Sequence, residues 1–153
     1  MTSQRNEFPP LFGKGIHSLS LAELKKQIVD PFADSRSRSP LHSSLNLFLS
    51  SLSGTGLIFE AWVYGPILTS EQNPDRVGLI IPYDPQSYDE LCERGLMVVD
   101  NLFNPRVALW RFGIAIQPVD RSVEEGIRYT LSKLATEQDG ITPSGIVSVR
   151  LKP

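Results

Sequence analysis

At Gly54-Thr55-Gly56 the spacing of apolar residues changes, and that change limits the kinds of fold open to this chain. Before it, Leu41, Leu45, Phe48, Leu49 and Leu52 recur at the period that gives a helix one buried stripe. After it, Leu57 to Val63 is rich in β-forming residues, and Val77 to Ile81 is a short, nearly continuous apolar run. Such runs are the mark of strands buried in a sheet. A chain that changes period in this way must pack helices against strands.

The remaining segments extend the pattern. Ser20-Leu21-Ala22-Glu23 is a capping box, followed by Leu21, Leu24 and Ile28 at helical spacing until Asp30-Pro31 stops the run. Ser35 to Pro40 is a polar connector, and Ser39-Pro40 reads as an N-cap with proline at the first helical position. Gly65 to Arg76 is a polar loop. Asp84 to Gly95 predicts a helix with Tyr88, Leu91 and Cys92 inward. Val107 to Gln117 alternates, so a strand is expected there with Ala108, Trp110, Phe112, Ile114 and Ile116 on one side. A second capping box, Ser122 to Glu125, opens a helix with Val123, Ile127, Leu131 and Leu134 inward. Asp139-Gly140 is a turn, and Gly145 to Leu151 is a strand. The expected order is α-α-β-β-α-β-α-β. It predicts an α+β (or α/β) fold, a mixed β-sheet with helices mainly on one face. Residues 1–15, with Pro9-Pro10, Gly13 and Gly15, read as an irregular arm, leaving 16–153 as a single domain.

Composition bounds the function. The 153 residues carry 15 Lys and Arg against 17 Asp and Glu, a net charge of −2. That balance argues against a nucleic-acid partner, because such binders usually carry a basic footprint. No apolar run approaches the ~20 residues of a membrane span, and the first residues have no hydrophobic signal region. A cytoplasmic protein with no membrane partner is expected. The single cysteine, Cys92, leaves no internal disulfide and no thiolate-cluster metal site.

Four segments occur in a telling order: FPPLFGKGIH at 8–17, YGPILTSEQNPDRVGLII at 64–81, RFGIAIQPVD at 111–120 and DGITPSGIVSVRL at 139–151. Together they resemble small bacterial and phage proteins related to the minimal nucleotidyltransferases of the DNA polymerase beta-like superfamily. The resemblance covers nearly the whole chain and implies a nucleotidyltransferase-like fold. In that superfamily a strand ends in Gly-Ser, Asp-x-Asp lies on the next strand, and a third acid joins from a later one. Residues two apart on a strand share a face, so both carboxylates can hold the same Mg²⁺ pair.

Here each of those positions departs from the pattern. The Gly-Ser turn reads Gly65-Pro66, the two acid positions fall on Arg76 and Gly78, and the third falls on Ala115. A one-residue shift brings Asp75 into the first position but Val77 into the second, and one carboxylate cannot gather two hard cations. The resemblance thus implies a pseudoenzyme with no catalytic residue, no metal ligand and no cofactor. The superfamily supplies components of toxin–antitoxin and phage-defence systems. An antitoxin, immunity or regulatory role by protein binding follows, with Tyr64, Gly65, Pro66, Arg76 and Gly78 at the rim of the old cleft. Two alternatives stay open. Arg76 could hold a phosphate or nucleotide without metal, or displaced acids among Asp75, Asp84 and Asp100 could retain nucleotidyl transfer.

The other reactive side chains have plainer readings. His17 and His42 lack the spacing of a helical metal site, and His42 reads as a surface residue in a first helical turn. Cys92 reads as a buried, inert thiol. Arg36 and Arg38 form a small basic patch in a solvated connector. Trp62, Trp110, Phe59 and Phe112 are expected in the sheet core, although an outward tryptophan would suit an interface.

Overall fold

The computed structural model describes residues 9–13, 15–123, 125 and 145–151. Five strands form one mixed sheet: β1 (Gly15–Ser20), β2 (Ala61–Tyr64), β3 (Val77–Tyr83), β4 (Ile114–Asp120) and β5 (Gly145–Arg150). Their order is β1-β5-β2-β3-β4. β1 runs parallel to β5 and β3 parallel to β4, whereas β2 is antiparallel to both of its neighbours. The described helices are α1 (Leu21–Ile28), α2 (Arg38–Ser53), α3 (Pro85–Asp89), α4 (Glu93–Leu102) and α5 (Pro105–Phe112). The fold is α+β, and among the described residues no helix is long and apolar enough to cross a membrane.

Strand alternation builds the core. Val147, Val63, Leu79 and Ile116 stand side by side in register across four strands. They pack with Leu24, Leu45, Phe48, Leu49, Val99 and Ala108 from the helices. Each fully buried aliphatic side chain adds roughly 1.5–3 kcal/mol. The residues between them, including Trp62, Tyr64, Gly78, Ile80 and Ala115, turn to the opposite face of the sheet. The first six residues of β3 are all buried, which explains its unbroken apolar run.

Local signals place the helix ends. Ser20 Oγ accepts from the Glu23 amide at 3.1 Å and Glu23 accepts from the Ser20 amide at 2.8 Å, so the capping box forms as expected. α2 ends at Gly54, but it begins at Arg38, ahead of the expected Ser39 cap. The expected helix from Asp84 to Gly95 is divided: Asp84 caps the short α3, and Cys92 caps α4. Cys92 is therefore exposed rather than inward, its sulfur accepting from the Gly95 amide at 3.4 Å.

The expected strand from Val107 is largely a helix. Asn104 accepts from the Arg106 and Val107 amides, Pro105 occupies the first turn, and Gly113 ends α5 at φ +69°. Ala108 is buried while Trp110 is 86% exposed, so they do not share a sheet face. Only from Ile114 does the chain become β4. β1 lies where no element was expected, beginning within the arm. His42 is buried and donates from Nε2 to the Leu21 carbonyl at 2.9 Å, correcting its surface assignment. The helix expected after Ser122 and the Asp139-Gly140 turn lie outside the described residues.

Candidate functional site

Tyr64 ends β2 and stands opposite Gly78 on β3, which in turn stands beside Ala115 on β4. The three share the face turned away from the main core. A Cβ built on Gly78 would lie 2.5 Å from the Tyr64 ring. Real Cβ atoms essentially never show a contact under 3.0 Å, so any side chain at position 78 would require the ring to move. Burial pushes the Tyr64 hydroxyl pKa up, and the nearby Arg76 charge partly offsets that rise.

Gly65 follows at φ +98°, a conformation that L side chains rarely adopt. That twist turns the chain into a short 3-10 turn, Pro66 to Leu68, with Ile67 and Leu68 buried. Arg76 stands just before β3, and its Nε lies 3.3 Å from Asp75 Oδ1. Both side chains are solvent-exposed, so the pair adds little to stability. The Val77 amide donates to the Gly113 carbonyl at 2.8 Å, which brings the end of α5 against Asp75 and Arg76. Tyr64, Gly65, Pro66, Asp75, Arg76, Gly78 and Ala115 are thus gathered at one end of three adjacent strands.

The loop between Gly65 and Arg76 is held from three sides. The Leu11 amide donates to Leu68 and the Ser70 amide donates to Pro9, so part of the expected arm is paired with the loop. Asn73 Oδ1 accepts from the Arg36 amide at 2.7 Å and from Ser35 Oγ at 3.3 Å. The third hold is Arg38, which sequence reasoning placed in a solvated patch. It is fully buried. Its guanidinium donates to the carbonyls of Ile28 (2.9 Å), Ile67 (2.8 Å), Thr69 (2.5 Å) and Glu71 (3.1 and 2.6 Å). All five N–H donors of an arginine are thereby used. The guanidinium carbon lies 3.8 Å from the centre of the Phe32 ring. Burial lowers the Arg38 pKa to about 10, so the group is still a cation at neutral pH.

The acids do not converge on this end of the sheet. Asp84 caps α3 at the far end of β3, with Arg121 at 4.0 Å. Asp100 accepts from the Tyr88 hydroxyl at 2.6 Å, a bond that raises the tyrosine pKa to about 12. Among the described residues no three His, Cys, Asp or Glu side chains are grouped to hold a metal. His17 Nε2 instead donates to the Gly13 carbonyl at 2.8 Å. Among the described residues gathered at this end of the sheet the one carboxylate is Asp75, already paired with the Arg76 guanidinium. That donor set does not fit the Mg²⁺ pair of a nucleotidyltransferase, since each hard cation wants several oxygen ligands.

No curated protein and no solved structure matches the chain. A family match does extend over residues 5–150, taking in every strand and helix described above. The chain belongs to DUF6932, a family of unknown function.

Proposed function

We propose that this chain is a catalytically inactive protein of nucleotidyltransferase-like fold that acts by binding a protein partner. The role that suits it is an antitoxin, immunity or regulatory component of a bacterial or prophage defence system. The observation that carries the reading is the Tyr64 ring lying on Gly78 beside Ala115. These are the positions where the resemblance calls for metal-binding acids, and an aromatic ring covers one of them. The adjacency of β2, β3 and β4 also supports it, because the superfamily's third acid joins from a neighbouring strand.

A metal-independent phosphate site at Arg76 is the rival reading, and the Asp75 carboxylate beside that guanidinium works against it. An incoming phosphate would compete with a charge already in place. Thermal-shift titration with the four nucleoside triphosphates, with Mg²⁺ and again with chelator, separates the readings. A ligand specific to the folded state stabilises by about 2.7 kcal/mol at a hundred times its Kd. The expected result is no shift under either condition. A Mg²⁺-dependent shift would overturn the pseudoenzyme reading. A shift that persists in chelator and disappears in Arg76→Ala would assign a phosphate site instead.

A further inference from the structure

We infer that the outward face of α5 is the docking surface, and that its partner is an acidic protein segment carrying an apolar side chain. The inference rests on the protein-binding reading above and gives that partner its chemistry.

Trp110 is 86% exposed. Ala108 is fully buried and Phe112 meets Phe48 of α2 edge-on at 5.3 Å, so α5 already has its inner contacts. The indole adds nothing to that packing. Arg106 precedes Trp110 by four residues and so lies beside it on the helix surface. Arg111 follows it, and both arginines are exposed. Among the described residues neither forms an ion pair.

The charge carried by α5 itself is one-sided: its eight residues hold two arginines and no acid. From Asp100 to Asp120 the chain carries no acid between those two residues. α2, packed against α5, has none from Arg38 to Ser53, and its exposed Ser43, Asn46, Leu47 and Ser50 are uncharged. In a chain of net charge −2 the outward face of α5 is cationic with an apolar centre; the neighbouring acids Asp75 and Asp100 are engaged with Arg76 and the Tyr88 hydroxyl. Tryptophan and arginine are the side chains that most often anchor interfaces. Carboxylates can pair with the guanidinium groups in a forked geometry while an apolar side chain lies on the indole. Nucleic acid is disfavoured, because two guanidinium groups fall short of the roughly 6–10 phosphate contacts of such binders.

The test uses the full chain and an array of short peptides. One set places Leu, Ile or Phe among Asp and Glu residues, and a matched set replaces the acids with Lys. Members of the acidic set are expected to bind, the lysine set is not, and Trp110→Ala or Arg106→Glu/Arg111→Glu should weaken binding about tenfold or more. An unchanged urea midpoint in these surface variants shows that lost binding is not lost folding. Acidic peptides that bind all variants equally, or an array that captures none, overturn the inference. So does Trp110-dependent binding to phosphatidylserine vesicles or a single-stranded oligonucleotide with no peptide bound. Peptide binding lost in Arg76→Ala but kept in Trp110→Ala would move docking to the cleft rim and leave the protein-binding reading intact. That reading itself fails on the Mg²⁺-dependent nucleotide shift, an independent measurement.

Discussion

Arg38 and Gly78 show how unevenly single residues announce their roles. Gly78 stood out in the sequence only through a resemblance, and the ring that lies over it was not legible. Arg38 was illegible because its partners are backbone carbonyls, which every residue carries and no side-chain pattern reveals. Removing its guanidinium leaves the buried carbonyls of Ile28 and Ile67 short of donors, at about 1–3 kcal/mol each, and the part-buried ones of Thr69 and Glu71 at less. Arg38→Met should therefore lower stability by on the order of 3 kcal/mol or more in urea unfolding. Arg38→Lys should recover little, since an ammonium has three donors and no planar fork. A lysine variant as stable as the parent would show that charge alone suffices. Gly78→Ala drives a Cβ into the Tyr64 ring and should cost about 1–3 kcal/mol, the usual price of overpacking. Combined with Tyr64→Ala, the same change should cost much less than the two single effects predict. Plain additivity in that double-mutant cycle would mean that the ring is not what demands a glycine.

Elements were readable where a local rule had no competitor. The Ser20 capping box, the helix closing at Gly54 and the apolar run of β3 each follow from chemistry within a few residues. α5 was misread because its apolar residues alternate as a strand's do. The punctuation of the segment decides the matter instead. Asn104-Pro105 is a cap followed by proline at the first helical position, and Gly113 supplies the left-handed end. Eight residues between such signals suffice for two helical turns. The consequence reaches the surface, since the strand reading buries Trp110 and the helix exposes it. Cys92 changed in the same way, from an inward helix position to a cap between α3 and α4. β1 was missed for a different reason. Its six residues include two serines and a histidine, and its ladder comes from a strand far away in sequence.

The whole molecule depends on that distant pairing. β5 lies between β1 and β2, so it joins the start of the described chain to the middle of the sheet. Its six residues pair in register with β1 from Gly15 and Gly145 to Ser20 and Arg150, and Arg150 also reaches the carboxylate of Glu23 on α1. Ile146, Val147 and Val149 are buried. At roughly 1.5–3 kcal/mol for each buried aliphatic side chain, their loss alone is comparable with the ~5–15 kcal/mol that hold a typical domain folded. A chain ended after Ser144 would also leave β1 without its described neighbour and open the flank of β2. It should show no cooperative urea transition, while Val147→Ala keeps one at a lower midpoint. A sharp transition in the truncated chain would mean that β2, β3, β4 and their helices fold without β5, and that β1 and β5 form a separable flap.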